Sequence, residues 1–251
     1  MNTNLFNYII QLADNSLILG HRLSEWCGHG PILEQDMAIT NIALDLIGQA
    51  RSLYQYAAEV QGEGKTEDDL AYLRDAWNFR NVLLVEQPNT DFAYTIVRQF
   101  FFDVYNFQNY SALTKSKDAR LAAIAEKSLK EITYHQRYSS EWMIRLGDGT
   151  KVSQEKMQKA INDLWAYTGE LMVSSAADVA MLDAEIGPDL SKIKSAWEDK
   201  VNGILKMATL EQPEADLWMQ QGGKEGRHSE HLGFILAELQ YLQRAYPGAE
   251  W

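Results

Sequence analysis

Two aspartates stand inside otherwise apolar helical text, Asp45 in NIALDLIG and Asp103 in RQFFFDVYNF, and burying either demands a partner. In a helical bundle, inward carboxylates can hold two iron ions when two helices each supply a Glu and two others each supply Glu-x-x-His. Register decides whether this chain can do so. Residues three apart share a helix face, whereas a shift of one turns the side chain by about 100°. The position three after Asp45 is Gly48 and the next is Gln49, so that helix offers no imidazole. Glu131 and His135 are four apart, and the residue three before His135 is Ile132. The plainer reading makes Glu131–His135 a helical side-chain pair and gives each aspartate an arginine such as Arg51 or Arg98, or a place on a polar helix edge.

Other constellations are weaker. His21 and Glu25 are four apart, with Asp14 one heptad earlier, a pattern that reads as a polar helix edge. The one literal Glu-x-x-His is Glu225-Gly-Arg-His228, followed by Glu230-His231. Glu225, His228 and His231 at steps of three could ligate Zn or Fe. The motif arises readily by chance, however, and it follows the glycine-rich Gln221–Gly226, the most flexible-looking interior stretch, so ordinary helix contacts are favoured. Gly222-Gly-Lys-Glu-Gly226 lacks the order of a phosphate-binding loop. Cys27 is the only cysteine, which excludes internal disulfides and fits a small packed residue in a reducing compartment. Asn109-Tyr-Ser111 is a glycosylation sequon by pattern alone. The aromatic run FFFDVYNFQNY reads as a core stripe.

The elements that must position these residues are helices. Five prolines occur in 251 residues and none between Asn89 and Gly187, a distribution that favours long helices. Leu5, Ile9, Leu12, Leu19, Leu23 and Trp26 follow alternating steps of four and three, with Ser16 the one polar member and Gly28 the stop. A second helix follows Pro31 and ends at Gly62-Glu-Gly64, and Thr66 with Asp69 resembles a capping box for a shorter one. Long helices are expected at about 91–115 and 118–146, antiparallel across a short turn. A fifth is expected from Ser153 to the mid-170s, another from Ser191 to before Pro213, and a last from about Arg227 to Tyr246, while VLLVEQPN is ambiguous. No repeat or low-complexity linker divides the chain, so the expectation is all-α, one domain over 1–251. The formal net charge of −12 disfavours nucleic acid and anionic membranes. The opening MNTNLFNYIIQLADN has no basic n-region or cleavage site and no apolar run spans a bilayer, so a cytoplasmic location is expected.

The blocks HRLSEWCGHGPILEQDMAITNIALDLIGQARSLYQYAAE, LLVEQPN, LKEITYHQRYS and RHSEHLGFILAELQYLQRAYPGAEW resemble, essentially end to end, the PaaC family of phenylacetic acid degradation proteins. The resemblance implies a ferritin-like helical bundle with additional C-terminal helices. It also implies membership of the bacterial phenylacetyl-CoA 1,2-epoxidase complex, the ring 1,2-phenylacetyl-CoA monooxygenase, in which phenylacetyl-CoA, O2 and NADPH give the ring epoxide. There the di-iron centre belongs to a homologous A subunit, a B subunit joins, and a flavin and iron–sulfur reductase passes electrons from NADPH.

Matched position by position, Glu25, Asp103 and His135 resemble ligand positions of the catalytic homologue. Where that homologue has Glu-x-x-His in its second helix, this chain has Asp45 with Gly48 and Gln49, and Ile132 stands at the fourth-helix carboxylate position. The implied role is a non-catalytic structural subunit of phenylacetate catabolism, with no catalytic residue, no metal and no cofactor of its own. Its vestigial ligand-like positions are Glu25, Asp45, Asp103, Glu131 and His135. The expected partners are the A subunit, the B subunit and the reductase, with homo-association also allowed. The rival is a di-iron oxygenase subunit in its own right, with Glu25, Asp103, Glu131 and His135 as ligands after a helix irregularity restores register. A third reading is a free-standing helical binding protein. Asp103 is expected to be buried and charge-compensated by Arg22, Arg51, Arg98, Lys130 or His135, with about 1–3 kcal/mol lost on Asp103→Asn if it is paired as an anion. Helices 33–60 and 91–115 are the expected partner-binding faces.

Overall fold

A computed structural model describes residues 3–214 and 217–249; Glu250 and Trp251, which close the last of the matching blocks, lie outside the described residues. Among the described residues every regular element is an α-helix or a 3-10 turn. The chain forms two compact units, one of Met1–Glu86, Ser175–Met181 and Gly222–Trp251, the other of Gln87–Ser174 and Leu182–Gln221.

The first unit is framed by α1 (Thr3–Ser24) and α2 (Leu33–Gln61). The alternating series of α1 points inward as its spacing demands: Leu5, Ile9, Leu12, Ser16, Leu19 and Leu23 are all buried. Gly28, at φ 79°, takes the left-handed conformation that ends the turn after α1. Asp36 then accepts the Gly30 N–H at 2.9 Å, closing the approach to α2. The second helix stops at Gly62, φ 69°, whose N–H returns to Ala58 O. The expected capping box is present, with Thr66 and Asp69 bonding each other's backbone N–H at the start of α3 (Glu67–Tyr72). The ambiguous VLLVEQPN stretch is a 3-10 turn over Leu83–Glu86.

The second unit is framed by α4 (Phe92–Leu113) and α5 (Ala119–Gly147), opened by Asp91 and Asp118 as side-chain caps. Phe92 meets Trp142 edge-on near one end and Asp103 meets Ser139 further along, so the pair is antiparallel. The aromatic run is core: Phe101 packs on Trp165 and Trp197, and the Trp197 indole N–H donates to Phe101 O at 2.9 Å.

Several boundaries differ from the periodicity. Helix α6 (Lys151–Leu164) is capped by Thr150, with Ser153 as its reciprocal partner, and gives way to two 3-10 turns over Trp165–Tyr167 and Gly169–Met172. Met219 lies where a Cβ on Gly169 would sit, so tertiary packing sets that irregular stretch. An unforeseen α7 (Ala176–Asp183) follows, then α8 (Leu190–Met207), capped by Asp189 instead of Ser191. The last expected helix is two, α9 (Glu230–Leu239) and α10 (Tyr241–Ala245).

Two further expectations are corrected. No residue of α4 is fully exposed, and only Phe92, Tyr94, Phe107, Gln108, Ser111 and Ala112 are half-buried, so most of its apolar and aromatic surface goes into packing and little is left for an outward face. The glycine-rich 222–226 stretch is also no floppy loop. Gly222, Gly223, Lys224 and Gly226 are buried, and a Cβ on Gly223 would lie 2.2 Å from Asn81 O. Glycine is used there for close backbone approach.

Candidate functional site

The second unit brings Asp103 and His135 together. Asp103 is buried on α4, accepting from the Gln99 amide at 2.7 Å and lying 2.8 Å from the Ser139 hydroxyl. Gln99 is one turn earlier on the same helix, and Ser139 follows His135 by one turn on α5. His135 is fully buried and acts on Asp103 electrostatically. Burial pushes the Asp103 carboxyl up to about 7, against the opposing pull of His135 and of the hydrogen bonds from Ser139 and Gln99.

The hydrogen-bond geometry accommodates that proton. Ser139 Oγ also lies 3.0 Å from His135 O. Ser139 donates to Asp103 Oδ2 and Gln99 to Oδ1; when Asp103 is protonated, Ser139 can turn its hydroxyl hydrogen to the His135 carbonyl and accept from the carboxyl instead. Thus burial was foreseen correctly, but the two direct hydrogen-bond partners resolved at the carboxyl are neutral side chains. Arg98, one of the suggested partners, bonds Gln87 O and the Asn89 side chain.

Glu131 is half-buried one turn before His135, and Ile132 is fully buried at the position where a ligand set would need a carboxylate. In the first unit Glu25 lies just beyond α1 and pairs with Arg22 at 2.8 Å, while Asp45 is half-buried on α2. Arg51 pairs with Glu67. His21 is lowered from its ordinary value, chiefly by burial, with Glu25 and Glu238 pulling the other way. Among the described residues no group of three or more His, Cys, Asp and Glu side chains is placed to hold a metal ion.

Two buried polar clusters escaped the sequence reading. Asp14 is no polar edge: it is fully buried, bonded to Tyr54 Oη and Arg74 Nη2 at 2.5 Å and to the Arg80 N–H at 2.7 Å. Burial and Asp14 hold the Tyr54 hydroxyl well above its ordinary value. Burial works against the Arg74 charge, and Asp14 more than restores it. The position of Asp14 between Ile10 and Ile18, one turn away on either side of the apolar face, was the available signal.

The second cluster explains the literal Glu-x-x-His. Its His228 Nδ1 meets Glu86 Oε1 at 2.6 Å and its Nε2 donates to Phe79 O at 3.0 Å. Glu86 also accepts from Asn81 and from the backbone and hydroxyl of Ser229, the residue preceding α9. Arg22 donates twice to Glu86 O. Glu225 turns to Arg227 at the surface, so the three residues of the motif do not converge, in line with the favoured reading of ordinary helix contacts. His228 anchors the start of α9 instead. The sequon Asn109 is buried in α4, where a glycan has no room.

Antiparallel long-helix pairs around buried polar groups, with no strand among the described residues, define an all-α, ferritin-like helical protein. The family model for phenylacetic acid catabolic proteins matches residues 1–251. The C subunit of the 1,2-phenylacetyl-CoA epoxidase of Escherichia coli K12 is 50% identical over 244 residues, covering 97% of this chain and 98% of its own length. The chain belongs to the phenylacetic acid catabolic protein family, as the sequence blocks indicated. Among the described residues no helix is long and apolar enough to cross a membrane.

Proposed function

We propose that this chain is a non-catalytic structural subunit of a phenylacetyl-CoA 1,2-epoxidase, pairing with and stabilising the di-iron catalytic subunit in the cytoplasm during aerobic phenylacetate breakdown. Its relative is a C subunit of such an enzyme. The observation that carries the reading is the fate of the ligand-like positions. Asp103 is engaged by Gln99 and Ser139, Glu25 by Arg22, and a buried Ile132 takes the place of a carboxylate. A hard cation needs several convergent oxygen and nitrogen donors, and this donor set does not fit a two-iron centre. No step of the oxygenation is therefore assigned to these residues; the di-iron chemistry is given to the A subunit, and the flavin, iron–sulfur and NADPH chemistry to the reductase, with the B subunit joining the assembly.

Elemental analysis of the purified chain after anaerobic iron loading should find well under one iron per chain. Co-expression with the catalytic subunit should give a stable complex by mass measurement, and phenylacetyl-CoA turnover should need both. Two tightly held irons, or full activity and unchanged stability of the catalytic subunit without this chain, would overturn the reading.

A further inference from the structure

Helices α9 and α10 run on from one another, since Gln240 N–H bonds Leu236 O at 2.9 Å and Arg244 N–H bonds Gln240 O at 3.1 Å. One face of this stretch is buried through Leu232, Ile235 and Leu236. Its opposite face is exposed and carries Gly233, Phe234, Ala237, Tyr241 and Ala245. Phe234 is 70% exposed and Tyr241 62%. Large protruding rings thus alternate with small residues, and a groove of about 590 Å³ runs along the same stretch, lined by Gly233, Ala237, Tyr241 and Ala245 with Asp75 and Ala76 beyond. Knobs and holes lie on one surface.

The register makes this surface complementary to itself. Phe234 and Tyr241 are seven residues, or two turns, apart, and their midpoint falls beside Ala237. Glu230, in the first turn, and Arg244, near the end, lie equally far on either side of Ala237. Arg244 is pre-positioned by the carbonyls of Tyr72 and Arg74 and by Asp75, yet its side chain stays 42% exposed. Glu238, at the margin of the face, interacts with His21.

A second copy laid antiparallel across a two-fold axis at Ala237 sets each Phe234 beside the other copy's Tyr241 and each Glu230 beside the other copy's Arg244. A parallel arrangement would oppose like charges. We propose that the α9–α10 face is an isologous self-association surface, its occupant a second copy of this chain in antiparallel register. Residues 230–245 are about 24 Å long, which places the contact at the small end of stable interfaces and makes the dimer reversible.

Sedimentation velocity of the full chain over a wide concentration range should show a monomer–dimer equilibrium, and Phe234→Glu, an exposed substitution that leaves the circular dichroism unchanged, should weaken it by at least ~30-fold. As a second measurement, Ala237→Cys in a Cys27→Ser background should give a disulfide-linked dimer on mild oxidation, because the axis residue meets its own copy. A chain that stays monomeric at every concentration overturns the proposal. So does a dimer that Phe234→Glu leaves intact and Ala237→Cys fails to cross-link. If the chain is monomeric and Phe234→Glu instead blocks capture of the catalytic subunit, the face belongs to that partner and self-association is refuted. None of these readouts depends on iron content, so the proposed function can fail or stand independently.

Discussion

At Asp103 the sequence announced burial but not the form of compensation, because FFFDVY reveals apolar neighbours and cannot show that α5 presents a hydroxyl. With Gln99 and Ser139 as its hydrogen-bond partners and a carboxyl raised to about 7 by burial, Asp103 takes up a proton in the folded state at a pH where the unfolded chain is already ionised. The linkage sign follows. The folded state holds a proton that the unfolded chain releases near 4, so this group's contribution to stability falls as pH rises from about 4 to about 7 and is level above. Asparagine can donate to Ser139 and accept from Gln99 as the neutral acid does. Asp103→Asn is therefore expected to be tolerated at pH 5 and to remove on the order of 1 kcal/mol or more of the stability difference between pH 5 and pH 8, in place of the loss anticipated for a paired anion. Urea midpoints of both proteins at the two pH values decide this, and an unchanged difference would count against it. The Asp14 cluster behaves oppositely. Removing Arg74 strands a fully buried carboxylate, so Arg74→Met should cost about 3–5 kcal/mol, against about 1–2 kcal/mol for Tyr54→Phe. Equal losses in denaturant titration would show that Arg74 is not the principal counter-charge.

Among elements, the glycines separate two uses of the same residue. A Cβ on Gly223 would strike Asn81 O at 2.2 Å, where backbone has to yield, whereas a Cβ on Gly48, within α2, meets nothing within 4 Å. Gly223→Ala should thus destabilise by about 3 kcal/mol and Gly48→Ala should stabilise by about 0.5–1 kcal/mol, both read as shifts in chemical denaturation. Loss of stability at Gly48 would mean that this helix needs its flexibility. The contrast also marks what was legible. The long helices α1, α2, α4 and α5 declared themselves through periodicity, glycine stops and acidic caps, all local signals. The 3-10 turns after α6, the short α7 and the split of α9 from α10 depend on what packs against them, as Met219 does on Gly169. The same division runs through the candidate site. Asp103 was findable because an acid in apolar helix text has to be accommodated, and His135 because its spacing from Glu131 invited a register test. Glu86 was missed because two of its partners, His228 and Ser229, come from a distant stretch, and the local Glu225–His228 spacing pointed elsewhere.

For the molecule as a whole, the partner-facing surface has to be sought where apolar side chains remain outside after folding. Of the two helices expected to supply it, α4 has none exposed. The other retains a stripe: Leu33 is 72% exposed, Met37 56%, Leu44 61% and Ile47 39%, while Ile39, Ile42, Leu46 and Leu53 fill the core from the other side. The steps 33, 37, 44 and 47 keep these residues on one face, and the stripe ends at the Arg51–Glu67 pair. An exposed apolar face of this kind on a chain of net charge −12 cannot be explained by solubility, since charge of one sign keeps monomers apart while exposed apolar area favours association. If the proposed pairing with the catalytic subunit uses this stripe, its apolar centre is where an obligate interface concentrates its energy. Met37→Glu with Leu44→Glu should then lower recovery of the co-expressed catalytic subunit, and with it phenylacetyl-CoA turnover, by tenfold or more for a loss of about 1.4 kcal/mol or greater, while the helicity and denaturation midpoint of this chain alone stay near their original values. The same double substitution should leave dimerisation through α9–α10 untouched. Full recovery and turnover with both glutamates in place would move the catalytic subunit to another surface, and loss of helicity in the isolated chain would show that the stripe serves the fold instead.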